Sequence, residues 1–223
     1  METLRNLWTS LSLFLLILLG SGIAFAEDNT TGTERSGADW NGTWQSELFT
    51  MTFTQQDEVV TASYIAMNPE TEITGTLNGT LSEDGKVLTG IWSETGKFES
   101  IASEDNTSFS SNLGYSGTFA DFIGNGTLWN GEWKSDSFLM NLSQDGSKIT
   151  GTVQYYLDDG TEIGTLTGNL SDDGKTVIGT WDETGAMKLA ISEDGGMFNG
   201  TYSFENIEPK PADTWNATRI SSE

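Results

Sequence analysis

Two glutamates, Glu94 and Glu183, stand in the near-identical phrases SETG and DETG, 89 positions apart. Paired carboxyl groups flanking a bond are what glycoside hydrolysis needs, one as acid and the other as base or nucleophile. A chain with 33 acidic residues brings acids near any cleft by chance, however, and both phrases have the look of hairpin residues. The tryptophans offer a second chemistry. Trp44, Trp92, Trp133 and Trp181 each close a G-x-W string, while Trp40, Trp129 and Trp215 precede asparagine. Aromatic faces stack on sugars or line apolar cavities, so Trp44, Trp92, Trp133 and Trp181, with Tyr64 and Tyr155, are the candidate ligand-binding residues. The competing reading is packing, since a residue that recurs in every unit usually solves a recurring packing problem. Acidic turns at Glu83-Asp84-Gly85, Glu104-Asp105-Asn106, Asp172-Asp173-Gly174 and Glu193-Asp194-Gly195 offer oxygen ligands. None has the spacing of a calcium loop, and Asp-Gly is what a tight hairpin requires. No metal site is expected.

The chain has no histidine and no cysteine. That excludes Ser-His-Asp and Cys-His catalysis, and zinc or copper held by His or Cys. No catalytic residue and no cofactor are expected. The formal charge of −23 would repel nucleic acid phosphates and acidic membrane surfaces, and suits solubility outside the cell. Arg5 precedes a run over 11–19 that is apolar apart from Ser12, and the small residues after it end in Ala24-Phe25-Ala26, the pattern of a secretory signal over residues 1–26. An uncleaved N-terminal anchor is the alternative. The polar segment 27–38 reads as a disordered leader. A secreted chain without disulfides relies on its core alone. Asn-x-Ser/Thr occurs nine times, and Asn29, Asn106, Asn141 and Asn216 are the glycosylation candidates. Several of the others, at 41, 78, 125 and 199, fall in Asn-Gly-Thr strings that hairpin geometry alone would select.

What would position these residues is a duplication. GTLNGTLSEDGKVLTGIWSETG at 75–96 returns as GTLTGNLSDDGKTVIGTWDETG at 164–185, and WNGTW at 40–44 returns as WNGEW at 129–133. The division predicted is a repeat over 39–128 and another over 129–223. Phe49, Met51 and Phe53 alternate with threonines, and Phe138, Met140 and Leu142, then Met187, Leu189 and Ile191, repeat the two-residue spacing. That is the period of strands with one buried face. Asp-Gly and Asn-Gly pairs supply turns, and about seven strands per copy result. The fold class expected is all-β, two tandem small antiparallel up-and-down barrels. One larger continuous barrel and a four-unit propeller are the alternatives. A closed barrel needs its last strand to pair with its first, and DTWNATRI at 213–220 is the candidate closing strand.

The succession G-x-W, alternating strand, T-G-T, L-x-G-x-W, closing G-T-(F/Y) and W-x-x-T-R resembles short β-barrel repeats of uncharacterised secreted prokaryotic proteins. More loosely, Gly42-Thr43-Trp44 and Arg219 are similar to the calycin pattern of lipocalins and avidins. The resemblance implies that Trp44 packs near Arg219 and closes a barrel around a ligand. The unit is shorter than a lipocalin, and the biotin ligands of avidins have no counterpart in WQSELFT. The functional expectation is a secreted or cell-surface, non-catalytic binding protein for a small molecule or glycan. The alternative is a structural or adhesive envelope protein with an acidic, N-glycosylated surface.

Overall fold

The computed structural model describes residues 37–68, 71–114, 119–124, 127–157, 160–205 and 214–222. The signal segment, Asn29 and most of the leader lie outside the described residues. Gly37–Glu223 forms one compact unit. Its strands are β1 (Gly42–Gln45), β2 (Phe49–Gln56), β3 (Val59–Ala66), β4 (Thr74–Leu81), β5 (Val87–Ala102), β6 (Ser108–Asn112) and β7 (Phe119–Gly124), then β8 (Gly131–Lys134), β9 (Phe138–Asp145), β10 (Lys148–Leu157), β11 (Gly160–Leu170), β12 (Thr176–Ile191), β13 (Met197–Phe204) and β14 (Thr214–Ser221). The fold is all-β, and among the described residues there is no helix.

Each strand pairs antiparallel with its sequence neighbours, and β1 pairs with β14, so the fourteen strands close into a ring. One further pairing crosses that ring: β5 and β12, each 16 residues long, run against one another from Val87–Ala190 to Ile101–Thr176. The crossing divides the ring into two closed circuits. Lobe one is β1-β2-β3-β4-β5-β12-β13-β14 and lobe two is β5 through β12 in order. Both contain the β5–β12 ribbon.

The packing units are therefore out of phase with the sequence copies. One core runs from Trp40 to Trp92 and from Met187 to Ala217, joining the start of the first copy to the end of the second. The other runs from Phe98 to Trp181, with Ile73. A boundary at 128/129 separates the repeats but does not separate these cores. The reason lies at SETG and DETG, which are mid-strand rather than hairpin. Glu94 stands opposite Glu183, its own counterpart in the other copy, so a local two-fold axis passes between them. Gly96 faces Trp181 and Gly185 faces Trp92 across the ribbon. A Cβ on either glycine would lie 2.6 Å from the indole Nε1 opposite. These glycines make room for rings, and neither has the positive φ of a turn residue. Asn-Gly at 78 and at 199 is likewise mid-strand, in β4 and β13, where Gly79 and Gly200 lie under Leu88 and Leu189.

The turns predicted from Asp-Gly are present, with Gly85, Gly146, Gly174 and Gly195 at φ between 61° and 73°. Three of these turns, and the Asp105-Asn106 turn, share a Ser-x-Asp device. Ser82 Oγ donates to Asp84 at 2.6 Å, and Asp84 accepts from the Lys86 backbone N–H at 3.1 Å. The same pattern recurs at Ser103/Asp105, Ser171/Asp173 and Ser192/Asp194. These bonds to the ionised form hold all four aspartates below the usual carboxylate range, the serine hydroxyl contributing most. Asp194→Ala is expected to lower Tm by a few degrees. The difference from wild type should vanish as pH falls below the ordinary aspartate range, which calorimetry at pH 2.5 and pH 6 would read.

The WNG strings close the ends of the lobes. Trp40 and Trp129 each donate from Nε1 to a turn carbonyl, Gly85 and Gly174, at 3.0 Å. Asn41 and Asn130 accept from the backbone N–H of Gln55 (2.8 Å) and Gln144 (2.9 Å). Lobe one is closed by β14 against β1, with Trp44 opposite Arg219. The Arg219 guanidinium lies 4.6 Å over the Trp44 ring and donates to the Asp39 carbonyl. In lobe two the matching partner of Trp133 is Gly124, and among the described residues no arginine covers that ring. Arg219→Ala is expected to cost about 1–2 kcal/mol from the lost cation–π contact and hydrogen bond, read as a lower urea midpoint with an unchanged slope.

Candidate functional site

The centre of the ribbon is where chemistry-bearing residues of both copies meet. Along one row across the sheet stand Tyr64 on β3, Gly75 on β4, Glu94 on β5 and Glu183 on β12. Side chains of directly opposed residues share a face. The Tyr64 ring crosses Gly75, where no Cβ would fit, and its hydroxyl donates to the Ser93 carbonyl at 3.2 Å and hydrogen-bonds Glu94. On the far side Glu183 lies over Gly164, with Oε1 3.0 Å from where a Cβ would sit. Glu162 of β11 hydrogen-bonds Glu183. Glu162 is 3% exposed and Glu183 9%, and Glu94 is partly buried.

Two of these carboxyl groups, Glu94 and Glu162, resist ionisation. Desolvation first, then the charge of Glu183, pushes Glu94 up to about 8, against a smaller opposing pull from Tyr64. Desolvation, the hydrogen bond to Glu183 and the nearby charges of Glu183 and Glu94 raise Glu162 well above the carboxylate range. Desolvation, then Glu94, raises the Tyr64 phenol. Burial and neighbouring charge thus favour the neutral forms of Tyr64, Glu94 and Glu162.

The same register explains Glu162. Thr-Glu-Ile occurs in both copies, at 71–73 and 161–163, but stands one residue closer to Gly-Thr-Leu in the second. A one-residue slip in a strand exchanges its faces. In the first copy Ile73 is buried, while Glu72 is exposed and paired with Lys97 at 2.8 Å. In the second copy Glu162 is buried and Ile163 is partly exposed. The slip was the available signal, and an alignment read only for likeness passes over it.

Across the ribbon lies an open cleft of about 360 Å³, with Gly75, Glu94 and Glu183 among its lining residues. Thr76, Ser93 and Thr95 line it from the first copy, and Thr165, Asp182 and Thr184 from the equivalent positions of the second, with Thr74, Ile163 and Glu205 at its rim. Strand alternation places Ser93, Thr95, Asp182 and Thr184 opposite in facing to the buried glutamates. Thr95 and Thr184 brace the crossing, donating to the Trp181 carbonyl (3.0 Å) and the Trp92 carbonyl (2.7 Å). Thr76 and Ser93 share a hydroxyl hydrogen bond of 2.9 Å.

The aromatic candidates lie elsewhere. Trp44, Trp92, Trp133 and Trp181 are buried and face the cores, and none lines this cleft. Trp44 packs on Phe53 and Phe198 at 5.9 and 5.4 Å, and Trp92 on Phe204 at 5.2 Å. Tyr155 is partly buried, stacks on Phe138 at 5.0 Å and stands opposite Glu162. Tyr64 belongs to the central cluster and is in contact with Glu94. Asn106, Asn141 and Asn216 are exposed, and the Asn106 Oδ1 accepts from Lys175 at 2.6 Å. No group of acids among the described residues is arranged to hold a metal ion. Comparison with protein-family models, with curated proteins and with solved structures found no match.

Proposed function

We propose that this is an extracellular, non-catalytic binding protein that takes a small polar molecule, a sugar or the end of a glycan, in the cleft across the ribbon. The observation that carries the reading is the cleft lining: paired hydroxyls related by the local two-fold axis, with Asp182 and Glu205 added on one side. Its volume is within the range of small-molecule sites, where a few convergent polar groups fix orientation. Hydroxyl and carboxylate oxygens are the partners that a polyol's hydroxyl groups need. The aromatic cores stabilise the frame in this reading and leave recognition to the outer face. The covering of Trp44 by Arg219 is what the calycin resemblance implies, and supports a ring built to hold a site rigidly.

The test is isothermal calorimetry against a panel of mono- and oligosaccharides. Binding of one member, weakened at least tenfold by Asp182→Ala and by Thr165→Val, is the expected result. Binding that both variants leave unchanged, or none across the panel, refutes it. The outward placement of Asn106, Asn141 and Asn216 favours a second reading, an envelope glycoprotein whose coated surface is its function. Mass spectrometry of the protein from its host would then find glycan mass that survives denaturation.

A further inference from the structure

Building on the cleft as a polyol site, and resting on that reading, we propose that Asp182 and Glu205 receive a protonated amine of the ligand, so that the cleft selects amino sugars over neutral ones. The lining is duplicated. Thr76 answers Thr165, Ser93 answers Asp182, Thr95 answers Thr184 and Glu94 answers Glu183, each pair 89 positions apart. Glu94 and Glu183 are each other's counterparts, so they distinguish neither half of the cleft. The halves differ at Ser93 against Asp182 and at Thr74 against Ile163, and Glu205 joins the Asp182 half. The Glu205 backbone N–H donates to the Thr184 carbonyl at 2.8 Å, which sets Glu205 across from Thr184 and diagonal to Asp182. Diagonal neighbours on adjacent strands lie roughly 7–8 Å apart, and one small cationic group between two such carboxylates can touch both.

The hydrogen bonds of the lining decide what kind of ligand suits it. Thr95 gives its hydroxyl proton to the Trp181 carbonyl and Thr184 gives its own to the Trp92 carbonyl. Thr76 and Ser93 are bonded to one another at 2.9 Å, so the first-copy half is largely satisfied within itself. In the other half Thr165 stands directly opposite Asp182. Among the described residues, the side chains of Thr165, Asp182 and Glu205 make no hydrogen bond or ion pair. A carboxylate only accepts, and a hydroxyl that has donated its proton keeps only lone pairs. The lining is therefore rich in acceptors and poor in donors. A sugar hydroxyl brings an acceptor with every donor, whereas an ammonium group brings three N–H donors and no acceptor.

Charge points the same way. No lysine or arginine is among the lining residues. The cation nearest in register is Lys97, which faces Thr180 and so stands diagonal to Asp182, and it is paired with Glu72 at 2.8 Å. That leaves Asp182 and Glu205 uncompensated in a concave surface, where walls of one sign concentrate the field on an entering ion.

Calorimetry at pH 6, where a sugar amine carries its proton, tests this with D-glucosamine, D-glucose, N-acetyl-D-glucosamine and methylamine. Glucosamine is expected to bind at least tenfold more tightly than each of the other three. Asp182→Asn keeps the shape of the side chain and removes its charge, and should abolish the preference over glucose while leaving glucose affinity within twofold. Glu205→Gln should act in the same direction. Glu132→Gln, which removes an equal charge from an exposed position on β8 outside the cleft, should bind as wild type does. Raising sodium chloride from 0.05 M to 0.5 M should weaken glucosamine and leave glucose unchanged. Equal affinity for glucosamine and glucose, or a preference that Asp182→Asn leaves intact, overturns the inference and leaves the polyol site standing. Methylamine bound as tightly as glucosamine refutes the polyol reading and the selection of amino sugars with it. No binding by any of the four removes both.

Discussion

Gly185→Ala is expected to remove most of the stability of the fold, although it adds a single methyl group. The added carbon would overlap the Ser203 carbonyl oxygen and sit 2.6 Å from Trp92 Nε1. Those two atoms are joined by a hydrogen bond of 3.0 Å, so the methyl group also lands on a buried donor and its acceptor. Neither neighbour yields cheaply. One is backbone in the β12–β13 ladder, and the other is a ring held against Phe204 and Tyr202. Overpacking costs roughly 1–3 kcal/mol and an orphaned buried hydrogen bond about as much again. The sum approaches the roughly 5–15 kcal/mol that holds a typical domain. Gly174→Ala makes the contrast. Its φ of 73° strains an alanine, but nothing lies within 4 Å of the added carbon, so the cost should stay near 1 kcal/mol. Urea unfolding followed by tryptophan fluorescence would separate the two. Equal losses would show that the Trp–Gly crossing is not what fixes the ribbon.

The same crossing shows how far the sequence could be read. Period-two alternation at Phe49-Met51-Phe53 and at Met187-Leu189-Ile191 identifies inward faces, because side-chain direction in a strand is set by position alone. Asp-Gly identifies turns at 84, 145, 173 and 194, because those glycines need positive φ. Gly96 and Gly185 carry the other reason for glycine, close approach of a ring, and nothing in a local string separates the two reasons. SETG and DETG therefore look like turns, and the barrels look tandem. Had they been taken as strand, β5 and β12 would each have come out long enough to serve two lobes. The tryptophans were legible as packing residues from their recurrence, but their partners were not, since Trp92 meets the other copy's glycine 93 residues away. Glu162 is visible only when the copies are held in strict register and the slip of Thr-Glu-Ile is followed to its consequence for the two faces. The cleft could not be foreseen at all, because its threonines are ordinary strand residues until β5 and β12 cross.

Stability should peak in mildly acidic solution and fall toward alkaline pH. The sign follows from proton counts. Between the ordinary glutamate range and about 8, folded Glu94 holds a proton that the unfolded chain has released. Stability therefore falls as pH rises through that window, and the fall continues at higher pH because folded Glu162 is also raised. On the acid side the four turn aspartates, held below their ordinary range, bind fewer protons folded than unfolded, so their contribution is lost as pH falls below that range. The two slopes meet between them, at about pH 4–5. Glu94 is partly exposed, so its shift is discounted for screening, leaving a loss of roughly 2–3 kcal/mol by pH 9. For a chain of this size that is a fall in Tm of roughly 5–10 °C. General repulsion within a chain of net charge −23 also weakens the fold at high pH, and salt distinguishes the two causes. At 0.5 M salt the screening length is only a few ångströms, so surface repulsion fades while buried carboxyls keep their cost. Calorimetry from pH 4 to pH 9 in 0.5 M sodium chloride is expected to retain most of the alkaline fall. A profile that becomes flat in salt would assign it to the surface and leave the central glutamates without influence on the fold.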